Sequence, residues 1–207
     1  MPTAPRVAHL RHRPTPTEDR PAEARVMTSD AIVARLQEAL PAAPCEAAPS
    51  VDLHATVYVS RDDVPAVMRL LRDDVDLGFT FLAELTAVDF WPRQPRFELV
   101  YLLVSIERAD RLRIKVRLDG ADPHVATLSR LWPAANWLER EVWDMFGIAF
   151  DGHPDPRRLL MPEDWEGYPL RKDYPVQISL PAQISSALQV TEQEFRANVM
   201  KDRLARK

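Results

Sequence analysis

The chain has 207 residues, with 31 Asp and Glu against 27 Lys and Arg and a net charge of −4. That length holds one domain with a real core plus tails, and the near-balanced charge argues against a nucleic-acid binder, which carries a clustered basic excess. The lone cysteine, Cys45, cannot close an internal disulfide or by itself hold an iron–sulfur cluster or a structural zinc.

Residues 1–27 contain five prolines and five arginines and few large apolar residues, a composition that builds no core and predicts a disordered extension. The arginines resemble an organelle transit peptide, but Glu18, Asp19 and Glu23 count against one, and no apolar segment marks a secretory signal. Ser29 then opens an amphipathic helix over Asp30 to Leu40, with Ile32, Val33, Leu36 and Leu40 on one face and Pro41 as a stop. From Val51 to Val59, apolar Val51, Leu53, Ala55, Val57 and Val59 alternate with polar residues, the period of a half-buried strand. Ser60 with Asp63 resembles a capping box and predicts a helix through Leu71.

Leu77 to Phe90 is mixed and predicts a short helix over Phe81 to Ala87. Phe97 to Ile106 is apolar on both parities, as a central strand covered on both faces would be. It contains the longest apolar run, Leu99 to Ile106, far short of the roughly 20 residues that cross a bilayer, so no direct membrane insertion is expected. Arg111 to Leu118 alternates strictly, with Leu112, Ile114, Val116 and Leu118 inward and Arg111, Arg113, Lys115 and Arg117 outward. The short connection between these runs predicts an antiparallel hairpin. Its basic face reads as a solvated sheet face, with an acidic partner surface as the sharper alternative.

Val125 to Trp132 reads as a short helix. Ala134 to Phe146 reads as another, with Leu138, Val142 and Met145 buried and Gly147 as a left-handed cap. Together these elements predict an α+β domain over residues 28–150, a small mixed or antiparallel sheet with flanking helices. Pro154, Pro156, Pro162, Pro169, Pro175 and Pro181 forbid long helices and central strands beyond it. Residues 151–181 are therefore expected as an extended arm that docks on something else, because Leu159, Leu160, Met161, Trp165, Tyr168 and Tyr174 are too apolar to remain in water. Residues 182–207 form a tail in which Thr191 and Glu194 open a short terminal helix.

The stretch from Trp132 to Pro175 holds four of the five tryptophans and many charges, yet offers no set of reactive groups. Arg140 and Asp144 are spaced as an i,i+4 pair, and Glu139 and Glu141 fall on different helix faces, which argues against acid–base catalysis. His153 has no second histidine at ligand spacing and reads as an anchored loop residue. The five glycines make neither a dinucleotide fingerprint nor a phosphate loop. Arg157, Arg158, Arg171 and Lys172 are interleaved with Trp165, Tyr168 and Tyr174, but neighbouring acids, Asp173 among them, neutralise the field. Arg and aromatic side chains in such a mixture suit a protein interface. The candidate docking residues are Glu139, Arg140, Glu141, Asp144, His153, Arg157, Arg158, Trp165, Arg171, Lys172, Asp173 and Tyr174; no catalytic, cofactor-binding or metal-binding residue is assigned.

Asn136–Gly147 (NWLEREVWDMFG), Phe150–Pro154 (FDGHP), Arg157–Pro162 (RRLLMP), Trp165–Gly167 (WEG) and Pro169–Pro175 (PLRKDYP) closely resemble the C-type, or 30 kDa-type, subunit of the bacterial NADH-quinone oxidoreductase, respiratory complex I. Leu85–Asp89 (LTAVD) extends a weaker likeness over most of the domain. The resemblance implies a cofactor-free, non-catalytic structural component of the peripheral arm, packed on the D-type subunit of complex I and near its B-type subunit, on the cytoplasmic face of the inner membrane. It implies that flavin, iron–sulfur clusters and quinone are held by partner subunits, and that the whole assembly couples electron transfer from NADH to quinone with ion translocation. The alternative is the equivalent scaffold of a membrane-bound hydrogenase or formate-oxidising complex.

Overall fold

The computed structural model of the chain describes residues 27–52, 54–175 and 196. The chain divides into two compact units, Met1–Lys172 and Asp173–Lys207, and every helix and strand named below lies in the first. The expected N-terminal extension and the expected terminal helix fall outside the described residues, apart from Met27 and Arg196.

Helix α1 spans Ser29–Ala39 and buries Ile32 and Leu36. Its N-cap is Thr28, whose hydroxyl accepts from the Ala31 N–H at 3.3 Å, one residue earlier than the sequence predicts. Ser29 is released for other use: its hydroxyl accepts the Thr56 N–H at 2.9 Å and pins the helix to the sheet. After β1 (Cys45–Ala47), strand β2 runs only over Ala55–Val59. The expected start at Val51 is wrong: Val51 is fully exposed, and the chain bends at Ser50–Asp52, where the Ser50 hydroxyl donates to Asp52 and Asp52 pairs with Arg113. Residues Arg61–Asp63 form a 3-10 turn and α2 follows over Val64–Asp73, with no side-chain cap from Ser60 and with Pro65 in its first turn. The predicted capping box is thus a tight turn leading into the helix.

Strand β3 spans Phe81–Asp89, where the sequence predicts a helix. A bulge between Leu82 and Glu84 places two residues opposite one, so buried Leu82 and Leu85 are three apart and mimic helical spacing. Beyond the bulge, period-two alternation resumes with buried Leu85, Ala87 and Asp89. Strands β4 (Phe97–Ser105) and β5 (Asp110–Leu118) form the expected antiparallel hairpin, paired from Phe97–Leu118 to Ser105–Asp110. The sheet order is β1-β2-β5-β4-β3, with β2 and β5 parallel and the other pairs antiparallel. β5, not β4, is central, because β2 adds to its free edge.

One face of this sheet carries the core. Phe97, Leu99, Tyr101 and Leu103 of β4 and Leu112, Ile114, Val116 and Leu118 of β5 join Ile32, Leu36, Val67, Met68 and Leu71 of the helices in one cluster. Each such aliphatic or aromatic side chain contributes roughly 1.5–3 kcal/mol by burial. Val100, Leu102 and Val104, on the other face of β4, lie outside that cluster and are only half-buried, so among the described residues the double cover expected for β4 is present on one side alone.

The expected helix over Val125–Trp132 is instead β6 (His124–Ala126), paired in parallel with β7 (Ala149–Asp151), and a single turn in which Leu131 and Trp132 N–H groups donate to the Leu128 carbonyl. Pro133 lacks the N–H that would extend the turn. Helix α3 then spans Ala135–Phe146, burying Val142 and Met145 as predicted, while Leu138 is only half-buried against the core. Gly147 caps it at φ 71°. No helix among the described residues is long and apolar enough to cross a membrane.

Candidate functional site

The Pro-rich stretch after β7 has no helix or strand up to Pro175, as its prolines require. Up to Lys172 it is nevertheless held against its own domain, and the compact unit reaches Lys172 where the sequence predicts a boundary at residue 150. The charged residues of α3 provide the fastening.

Asp144 is the centre. Its fully buried Oδ2 accepts the backbone N–H groups of Leu159, Leu160 and Met161 at 3.0, 2.7 and 2.9 Å, while Oδ1 accepts Arg158 at 2.6 Å. Burial pushes this carboxyl up, but those four donors outweigh it and hold the group below the usual carboxylate range. Arg158 also donates to the carbonyls of Trp165 and Gly167 and lies over the rings of Trp143 and Tyr168. One guanidinium therefore links helix, strap and a second strap turn.

Arg140 does not pair with Asp144 as the helical spacing predicts. It is buried, donates to the Arg157 and Arg158 carbonyls at 3.0 Å each, and lies 3.4 Å from Asp155. The strap passes on the side where Arg140 would otherwise turn toward Asp144, and each residue satisfies strap backbone instead. Arg171 donates to the Phe146 carbonyl at 2.5 Å and to the Gly147 carbonyl at 3.4 Å, closing the C-terminal end of α3 where carbonyls lack helical partners. Gly147 makes room for this: a Cβ there would collide with the Tyr168 ring and stand 2.6 Å from the Arg171 guanidinium. The Lys172 N–H donates to Asp89 at 2.8 Å. Burial raises Asp89, yet Arg96 and the Lys172 and Trp91 N–H groups bring it down to about 2.

Glu139 is fully buried and accepts the Thr127 hydroxyl at 2.5 Å and the Leu128 N–H at 2.7 Å, fixing the turn after β6. Burial pushes its carboxyl up to about 7, despite those two hydrogen bonds. His153 lies 3.8 Å away, with Nε2 3.0 Å from the Asn136 carbonyl and Nδ1 accepting the Asp155 N–H at 3.0 Å. That pattern fits a ring protonated on Nε2 and makes His153 the anchored loop residue the sequence predicts.

The twelve candidates therefore divide. Glu139, Arg140 and Asp144 are buried in this chain's own fold; His153, Arg158, Trp165 and Arg171 are half-buried in the strap; Glu141, Arg157 and Lys172 are exposed. Asp173 and Tyr174 fall in the second unit. Also exposed are Trp137 at 59 % and Leu170 at 52 %, which sequence reasoning missed, and Leu160 at 59 %, which it expected to be covered by a partner. Trp137 was legible in principle, since it lies four residues from Glu141 on the polar side of an amphipathic helix. Leu170, and the outward turn of Leu160, were not, because only the path of the strap decides which of its apolar residues turn out.

The family described as "Respiratory-chain NADH dehydrogenase, 30 Kd subunit" matches residues 57–179. A relative from Roseiflexus castenholzii, named as the C-type subunit of NADH-quinone oxidoreductase, is 49% identical over 143 residues, 69% of this chain and 81% of that protein. One from Acidiphilium cryptum, whose name joins the C and D types as C/D, is 48% identical over 132 residues, 60% of this chain and 22% of its own length. Among solved structures, a trypsin-resistant fragment of Nqo5 is 34% identical with a TM-score of 0.51, covering 60% of this chain and 98% of that one. A chain of an archaeal membrane-bound sulfane sulfur reductase is 27% identical with a TM-score of 0.60, covering 79% of this chain and 93% of that one.

Proposed function

The chain belongs to the family of the 30 kDa subunit of respiratory-chain NADH dehydrogenase, and from that premise we propose that it is a structural component that carries no redox centre and docks the D-type subunit and its neighbours, the B-type subunit included, in the peripheral arm. The observation that carries this reading is the use made of the α3 charges. Arg140 and Asp144 are consumed in fixing a strap that has no regular structure of its own, and Glu139 in fixing the turn after β6, while Trp137, Leu160 and Leu170 are left exposed. Rigid aromatic and aliphatic groups with charged neighbours are what a protein interface is built from.

One observation supports a part of this proposal: a relative whose name joins the C and D types favours the D-type subunit as the neighbour. On this reading electron uptake from NADH, quinone reduction and ion translocation belong to partner subunits, and this chain attaches to the cytoplasmic face of the bacterial inner membrane through them. A second reading is the equivalent place in a related membrane-bound respiratory complex with another electron acceptor or donor, favoured by the likeness to a chain of the sulfane sulfur reductase.

Affinity purification of the tagged full chain from mildly solubilised membranes, with the bound chains identified by mass spectrometry, separates the readings. The expected result is recovery of the D-type subunit together with a flavin-bearing, NADH-oxidising one. Recovery of a hydrogenase, formate dehydrogenase or sulfur reductase component in their place would establish the second reading, and a stoichiometric chromophore on the isolated chain would overturn the cofactor-free assignment.

A further inference from the structure

The sheet face opposite the core is left uncovered at one end by the described residues. Strand register puts Phe81 of β3 beside Val104 of β4 and Arg111 of β5, and Glu84 beside Leu102 and Arg113. Val100, Leu102 and Val104 are half-buried, Phe81 is 50 % exposed and Ile106 69 % exposed. None of these belongs to the core cluster or to the residues packed against it. Between them lies a shallow groove of about 520 Å³, lined mainly by Phe81, Ala83, Leu102, Val104 and Ile106, with Arg111 at its rim.

The charges of this face are spent unevenly. Arg113 pairs with Asp52 at 2.5 Å, Lys115 with Glu98 at 2.7 Å, and Arg117 lies 3.7 Å over the Tyr58 ring. Arg113 and Lys115 are thus paired with carboxylates, and Arg117 has Glu46 4.0 Å away, so these three do not call for an acidic partner surface. Arg111 is different: it is exposed and has no ion pair among the described residues. An apolar patch several residues wide with one uncompensated guanidinium at its edge costs stability when left in water and matches a partner of a definite kind.

We propose that this second sheet face is a docking surface, separate from the one on α3, for an apolar segment of a neighbouring subunit that lays aliphatic or aromatic side chains over Leu102, Val104 and Ile106 and presents a carboxylate to Arg111. This accounts for the sequence of β4, which is apolar on both parities although the described residues cover only one. The inference rests on the reading of the chain as one component of a larger assembly.

The test compares the full wild-type chain with two variants, Leu102→Glu/Val104→Glu and Arg111→Glu, in the same affinity purification. Both variants alter a face outside the core, so circular dichroism and the melting temperature should match wild type. Each should recover on the order of tenfold less of at least one partner chain than wild type does. In the assembled complex, amide hydrogen exchange over residues 81–84 and 100–106 should slow relative to the isolated chain. Normal partner recovery by both variants, with unchanged exchange in the assembly, overturns the inference while leaving the subunit reading intact; absence of any partner in the wild-type purification overturns the reading itself. Two further results also overturn it: carbene labelling that finds Leu102 and Ile106 already covered in the isolated full chain, and a concentration-dependent homodimer abolished by the same substitutions.

Discussion

Asp144 and Glu139 are separated by little more than one turn of one helix, and their surroundings drive them in opposite directions. Asp144 has four donors and stays charged. Asp144→Ala should leave Arg158 and three buried N–H groups without their acceptor and cost about 3–5 kcal/mol, read as a fall in Tm of roughly 10 °C; a change under about 2 °C would show that the lattice contributes little. Glu139 has two donors in a fully buried site, and burial takes it from an ordinary 4.5 to about 7. The folded chain therefore binds a proton more tightly than the unfolded chain, so stability falls as pH rises from about 4.5 to about 7, by about 3 kcal/mol once both states are ionised. The carboxylates held low, Asp89 and Asp144, act in the opposite sense, losing stability as pH drops through the acid range. Comparing wild type with Glu139→Gln cancels their contribution. The variant should be more stable than wild type at pH 8 and less dependent on pH between 5 and 7, as measured by urea denaturation; parallel curves for the two proteins would contradict the assignment.

At the scale of elements, the features legible in the sequence were those set by uninterrupted local periodicity. The stripe of α3, its glycine cap and the β4–β5 hairpin follow from spacing alone. The features that were not legible are long-range. The bulge in β3 gives two buried leucines helical spacing, and its existence depends on pairing with β4. The strand after Pro123 pairs with β7 some two dozen positions later, a partner no window around residue 125 contains. The i,i+4 pairing of Arg140 with Asp144 fails because the strap supplies better partners to both. Gly147 joins these levels, as its φ of 71° ends the helix and its missing Cβ admits Tyr168 and Arg171. Gly147→Ala should cost at least about 1 kcal/mol from backbone strain alone and should loosen the strap, so that limited proteolysis cuts within residues 152–172 before the sheet is lost. Cleavage at the wild-type rate would show that the strap does not depend on this approach.

For the whole molecule, composition pointed to an interface without chemistry, and the motifs from Asn136 to Pro175 pointed to the family that the comparisons show. The location of the interface was less legible. Most residues singled out for docking are buried or half-buried, and the large apolar groups of α3 and the strap that are left exposed are Trp137, Leu160 and Leu170. If the fastened strap and α3 together form a docking surface, the double variant Trp137→Glu/Leu160→Glu removes part of it without touching the fold. Both side chains are more than half exposed, so the purified variant should melt within about 2 °C of wild type, as surface changes usually do. Expressed in place of the wild-type chain, it should recover at least about tenfold less of the D-type subunit in affinity purification. A variant that folds normally and recovers as much of that partner as wild type would show that strap and α3 do not form that docking surface.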